Sequence, residues 1–184
     1  MFERQQKILE AAVRVIARSG VRGLRVEKIA AEAGISTSLI YYHFTNRAGV
    51  LQKTLEFVND RAATYTQEAA ASADRPRAEL ELRLFGELQD TEAIRENSTA
   101  WGELRASAVF TPELRAPLGE STRVWVAEVA EVIRRTGSRA DAEDAAERLT
   151  SLVEGLSERW LSGSMDLDRA RDLLRGAIAL ELDR

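Results

Sequence analysis

The residues able to do chemistry are densest between Ile29 and Arg47, and their chemistry is hydrogen bonding to a polyanion. Thr37 and Ser38 place short hydroxyls where base edges or phosphates would lie if this segment is a helix seated in a DNA groove. Tyr41 and Tyr42 follow, and a phenol donates well to a phosphate oxygen. His43 is the single histidine and there is no cysteine. That excludes disulfides, thiolate metal sites, cysteine nucleophiles and multi-histidine metal sites within one chain. The carboxylates are scattered over helix surfaces, where solvation accounts for them. No catalytic residue, metal or cofactor is expected.

The elements that must position these groups are two short helices meeting at a tight turn. Ile29-Ala30-Ala31-Glu32-Ala33-Gly34-Ile35-Ser36 reads as a helix, a small residue allowing close approach, a glycine for the turn and a cap for the next helix. The pair spans about Val26–Ala33 and Thr37–Tyr42. A longer helix, Phe2–Ser19, precedes it, with Ile8, Ala12, Val15 and Ile16 at helical spacing and Gly20 at its end. Residues 1–52 hold eight basic and four acidic side chains, although the whole chain carries −4. A basic head on an acidic body suits a polyanion partner at the N-terminal end.

Alanine, leucine, glutamate and arginine dominate the rest, proline is scarce and strand-like alternation is absent, so the chain is read as all-α with about nine helices. Asn46 caps a long fourth helix from residue 47 to about 73, striped by Leu51, Leu55, Val58, Ala62, Tyr65 and Ala69. A fifth helix follows Pro76 and runs through Leu88. Asn97-Ser98 is read as a break before a sixth carrying Trp101, Leu104 and Ala108. Thr111-Pro112 starts a seventh, apolar around most of its middle and therefore expected to be central. The eighth runs from about Asp141 to Leu161, and Asp166 or Asp168 opens the ninth. The division expected is a helix-turn-helix domain over 1–46 and a regulatory and dimerisation domain over 47–184. The opening residues lack signal-peptide order, and no apolar run approaches the roughly 20 residues needed to span a bilayer. The cytoplasm is the expected location, with no membrane partner.

The run Ile35-Ser36-Thr37-Ser38-Leu39-Ile40-Tyr41-Tyr42-His43-Phe44, then Thr45-Asn46-Arg47 and Leu51, closely resembles the signature of the TetR family of bacterial regulators. The resemblance covers roughly residues 6–52. It implies an all-helical homodimer on a palindromic double-stranded operator, usually a repressor released by a small-molecule inducer. It implies DNA contacts at Arg25 and Val26 where the second helix begins, at Ser36, Thr37 and Ser38, at Tyr41, Tyr42 and His43, and at Arg47, which stands where the family usually has lysine. Phe44 is expected in the core. Arg25 departs from the family's threonine before the second helix; arginine does not cap as threonine does, but it reaches phosphate directly.

The C-terminal half is similar to the BetI-like subgroup at Trp101-Gly102-Glu103-Leu104, Pro112-Glu113-Leu114, Trp125 and Leu152-Val153-Glu154-Gly155-Leu156. Phe57, Phe85, Leu88, Trp101, Glu103, Leu104, Phe110, Trp125 and Val129 are expected either to line a ligand pocket or to form an ordinary core. Glu103 and Glu128, with Trp101 and Trp125, would suit a cationic inducer, though the residues do not identify one. Leu149, Leu152, Val153, Gly155, Leu156 and Trp160, with Leu173, Leu174, Ala177 and Ile178, are the expected dimer faces, the alternative being that they pack internally against the fourth and seventh helices. The rival reading is a helical adaptor or enzyme that reuses the fold without operator binding. The basic head argues against the first; the missing cysteines and lone histidine argue against the second.

Overall fold

The computed structural model describes residues 2–183, with nine α-helices and no strand among them: α1 Phe2–Ser19, α2 Val26–Ala33, α3 Thr37–His43, α4 Arg47–Ala70, α5 Pro76–Gly86, α6 Glu92–Ala108, α7 Arg115–Thr136, α8 Ala142–Leu161 and α9 Leu167–Leu182. Short 3-10 turns occupy Val21–Gly23 and Pro112–Leu114. The chain forms two compact units. One comprises the chain up to Arg61 with Thr99–Gly119; the other comprises Ala62–Ser98 and the chain from Glu120 onward. The 1–46 segment lies wholly within the first.

The first unit closes around Ile8, Ile16, Leu24, Ile29, Ile40, Leu51, Leu55 and Leu104, each almost entirely excluded from solvent. Burying one such side chain is worth about 1.5–3 kcal/mol, so these contacts, not helix propensity, hold the short α2 and α3 in place. The second unit packs Leu80, Leu84 and Leu88 against Val129, Ile133, Leu149, Val153, Leu174 and Ile178. A bidentate pair from Arg148 to Glu181 (2.7 and 2.8 Å) ties α8 to α9, and Arg171 Nε donates to Leu88 O at 2.9 Å.

Three expectations need correction. Asn97-Ser98 does not break the chain: both lie inside α6, with Asn97 almost fully buried. Facing an interior polar group, it does not compete for nearby backbone bonds as an exposed Asn would. The fifth helix stops at Gly86, and Leu88 is buried in the turn beyond it. The seventh is not apolar-buried all round. Val129, Ala130, Val132 and Ile133 face the core, while Arg123, Val124 and Ala127 are open. It begins at Arg115 after the Pro112–Leu114 turn, where Thr111 offers no side-chain cap.

Candidate nucleic-acid interface and ligand site

The helix-turn-helix geometry follows from its residues. Gly34 adopts φ 65°, ψ 40°, the left-handed region glycine enters without cost, and ends α2; the Ile35 N–H closes back on Ala30 O at 3.0 Å. Ser36 Oγ accepts the Leu39 N–H at 3.3 Å and starts α3. Ile40 and Phe44 anchor α3 in the core at 0% and 3% exposure. Anchoring one face turns the other outward. Ser36, Ser38, Tyr41 and Tyr42 are exposed, Tyr42 at 73%, while Thr37 and His43 are half-buried. The Tyr42 and His43 rings meet edge-on at 5.2 Å. Asn46 Oδ1 accepts the Gly49 N–H at 2.9 Å and opens α4.

The remaining expected DNA-contact positions differ in kind. Arg25 precedes α2 with an exposed side chain that makes no cap bond. Val26 is 6% exposed and packs in the core, so only its backbone is placed to meet a phosphate. Arg47 donates from Nη2 to Val21 O (2.6 Å) and from Nε to Leu24 O (3.1 Å). What it has left to offer a phosphate is chiefly Nη1. Arg14 and Arg18 are taken up by Glu32, whose carboxyl their hydrogen bonds hold below its usual range. The outward positive charge near α3 therefore comes from residues such as Arg22, Arg25 and Lys28, all exposed.

The nine expected ligand residues are divided between the units. Phe57, Trp101 and Leu104 pack in the first core, where Arg61 lies over Phe57 and Arg105 over Trp101. Glu103, in the same unit, accepts the Val21 N–H at 3.1 Å. Phe110 is 79% exposed. Phe85, Leu88, Trp125 and Val129 belong to the second core. Glu128 lines an open groove of about 440 Å³ along α7. Arg83, Arg123 and Arg135 share that groove, which makes it a poor place for a cation.

The second unit also holds a polar cluster at the level of Asn97. The Tyr65 hydroxyl on α4 donates to Glu87 Oε2 at 2.6 Å, and Asn97 and Ser98 on α6 flank that hydroxyl. Burial first, then the Glu154 carboxylate on α8, pushes the Glu87 carboxyl up to about 7 against the lowering effect of the Tyr65 bond. Burial and the neighbouring Glu87 charge drive the Tyr65 phenol well above its ordinary value. The Oγ of Ser157 is buried without a hydrogen-bond partner among the described residues. The Tyr65 phenol and the Glu87 carboxyl are thus buried together, with the Glu154 carboxylate near enough to raise Glu87 further.

Of the expected dimer faces, Leu149, Val153, Leu156, Trp160, Leu174 and Ile178 point into the second core. Leu152, Leu173 and Ala177 are half-buried and Gly155 is exposed; Leu180, one turn past Gly176, is 65% exposed. The outward stripe is narrower than the sequence suggests and consists of small and aliphatic residues.

Residues 8–54 match the model of the bacterial regulatory proteins of the TetR family, and residues 76–183 match the C-terminal domain of BetI-type transcriptional repressors. The chain belongs to the TetR family. A chain from Rhodococcus sp. described as a TetR-family transcriptional regulator is 44% identical, covers 99% of this chain and 100% of its own, and superposes with a TM-score of 0.92. A transcriptional regulator from Saccharomonospora viridis, solved in complex with choline, is 26% identical over 97% of this chain and 96% of its own, with a TM-score of 0.86. The HTH-type transcriptional regulator BetI of Burkholderia mallei (strain NCTC 10229) is 29% identical over 163 residues, 88% of this chain and 82% of its own. This TetR-family protein is a helix-turn-helix transcriptional regulator, not an enzyme, and no helix among its described residues is long and apolar enough to cross a membrane. The polar cluster was missed in the sequence for identifiable reasons. Tyr65 reads as one more member of the α4 stripe, and Asn97-Ser98 reads as a break. The one available signal was a pair of polar residues interrupting an otherwise helical run.

Proposed function

We propose that this regulator is a homodimeric repressor that binds a palindromic operator and is released by a small organic cation bound in its second unit. The observation that carries the reading is the division of α3 between two buried anchors, Ile40 and Phe44, and an outward row of hydroxyls and phenols at Ser36, Ser38, Tyr41 and Tyr42. In this reading Thr37 and Ser38 meet base edges, while Tyr42, Arg25 and the free part of Arg47 meet phosphates. Leu152, Gly155, Leu173, Ala177 and Leu180 form the contact between copies, since one helix-turn-helix reads too little DNA to be selective and a dimer places two about 34–36 Å apart. The protein acts in the cytoplasm, where its operator lies.

The inducer class rests on two supports. Tyr65, Glu87 and Glu154 bring a phenol and two carboxyl groups to one place, and the Saccharomonospora viridis relative is a choline complex. A cation seated there stabilises one conformer of the body over another, and its effect on DNA is limited by that difference in affinity. Choline chloride titrated into a complex of the full-length protein with a duplex it has itself selected tests the reading. Release at submillimolar choline, lost in Glu87→Gln, is expected. Release that is unaltered by Glu87→Gln, or no release at all, contradicts the assignment of the site.

A further inference from the structure

The segment joining α1 to α2 is six residues long, from Gly20 to Arg25, and it sets where the helix-turn-helix begins. Its 3-10 turn starts with the Val21 N–H, and the residue before it, Gly20, has no side chain with which to cap that group. The acceptor comes instead from α6: Glu103 Oε2 takes the Val21 N–H at 3.1 Å. Gly20 stands at φ +67°, and a Cβ built there would lie 2.7 Å from the same carboxylate oxygen. The glycine therefore serves both the left-handed turn and the close approach of Glu103. On the carbonyl side, Arg47 of α4 donates from Nη2 to Val21 O at 2.6 Å and from Nε to Leu24 O at 3.1 Å. One peptide segment is thus held by its N–H to α6 and by its C=O groups to α4. The Val21 and Leu24 side chains are buried in the core of the first unit.

We infer that Glu103 is a positioning residue for DNA binding: with Arg47 it clamps the Gly20–Leu24 segment between α6 and α4, and so fixes the orientation of α2 and α3. This removes Glu103 from the inducer pocket and gives an acidic side chain a positive role in binding a polyanion. Charge alone predicts the opposite sign, because deleting a carboxylate near a DNA-binding surface strengthens attraction to phosphates. A role as inducer anchor predicts no effect on the ligand-free protein. The three readings separate on one variant.

The test uses full-length wild type, Glu103→Ala and Glu103→Gln without inducer. Affinity and its salt dependence are measured on a duplex selected by the wild type from a random pool, and amide hydrogen exchange is followed over residues 19–26. In Glu103→Ala the Val21 amide should exchange about tenfold faster or more, and affinity should fall about tenfold, as loss of a hydrogen bond to a charged acceptor implies. The slope of log affinity against log salt should be unchanged, since no phosphate contact is removed. Glu103→Gln keeps an acceptor oxygen and should restore exchange and affinity to within about threefold of wild type, a neutral acceptor making the weaker bond. Glu103→Ala with affinity equal to or above wild type, wild-type exchange at Val21, or Glu103→Gln failing as fully as alanine each overturns the inference. The exchange measurement needs no DNA, so failure of the clamp is distinguishable from failure to select a duplex.

Discussion

The recognition helix α3 and the polar cluster of the second unit, to which DNA binding and inducer binding are assigned in the proposal above, are built in opposite ways. The recognition helix is local. Ser36, Thr37, Ser38, Tyr41 and Tyr42 lie within seven residues, and what orients them, Gly34, Ile40 and Phe44, lies in the same stretch. The cluster is assembled from afar: Tyr65, Glu87, Asn97 and Glu154 come from α4, the end of α5, α6 and α8. A local device announces itself in one segment. A dispersed one exists only once the helices have packed. The same contrast predicts different responses to mutation, one in affinity for DNA and the other in linkage to protons and ligand.

The largest effect should come from removing the anchor that turns α3 outward. Ile40→Ala empties a fully buried position and should cost about 2–5 kcal/mol of stability by thermal unfolding, and DNA binding should go with it. Retained DNA affinity would show that α3 does not depend on its buried face. Next is Glu87→Gln. The folded carboxyl sits near 7, above its unfolded value, so the neutral form is favoured by folding. That contribution is complete below the unfolded pKa and lost as pH rises through about 7. It amounts to roughly 3–4 kcal/mol, and the glutamine variant should flatten this part of the dependence of Tm on pH. A wild type whose Tm does not decline between pH 5 and 8 relative to Glu87→Gln would refute the buried acid.

Arg47→Lys comes third. Lysine keeps the charge but lacks the planar fork that spans Val21 O and Leu24 O. Affinity for the selected duplex should fall about tenfold, with faster amide exchange at residues 21–24. Full activity in the lysine variant would reduce Arg47 to a simple charge. The smallest effect is expected from Tyr42→Ala. Its ring is 73% exposed, so thermal stability should stay within about 0.5 kcal/mol of wild type. Affinity should drop severalfold, equally for all sequences, as for any phosphate contact. Altered base preference at one operator position would reassign Tyr42 to base reading.

The comparison also explains which parts were legible in the amino-acid sequence. Helix bounds from α1 to α3 and the caps Ser36 and Asn46 follow from residue types that act on their own neighbours. Asn97-Ser98 misled because the preference of Asn for turns is reversed when its side chain is buried. Six of the ten α8 and α9 residues expected between subunits face inward, because one apolar stripe serves the internal core before it serves a partner. The bonds of Arg47 and Glu103 to the Gly20–Leu24 segment are not legible in the sequence. Those to Val21 span 26 and 82 positions, distances over which a sequence pattern carries no register.

The measurement that bears most directly on the central claim is selection of DNA by the full-length, ligand-free protein from a random-sequence duplex pool at fixed salt. A homodimeric operator-binding regulator should enrich one palindromic site, with half-sites about one helical turn apart, bound as a dimer and with affinity falling steeply as salt rises. A pool that remains unenriched, or binding that is the same for every sequence, would contradict that claim.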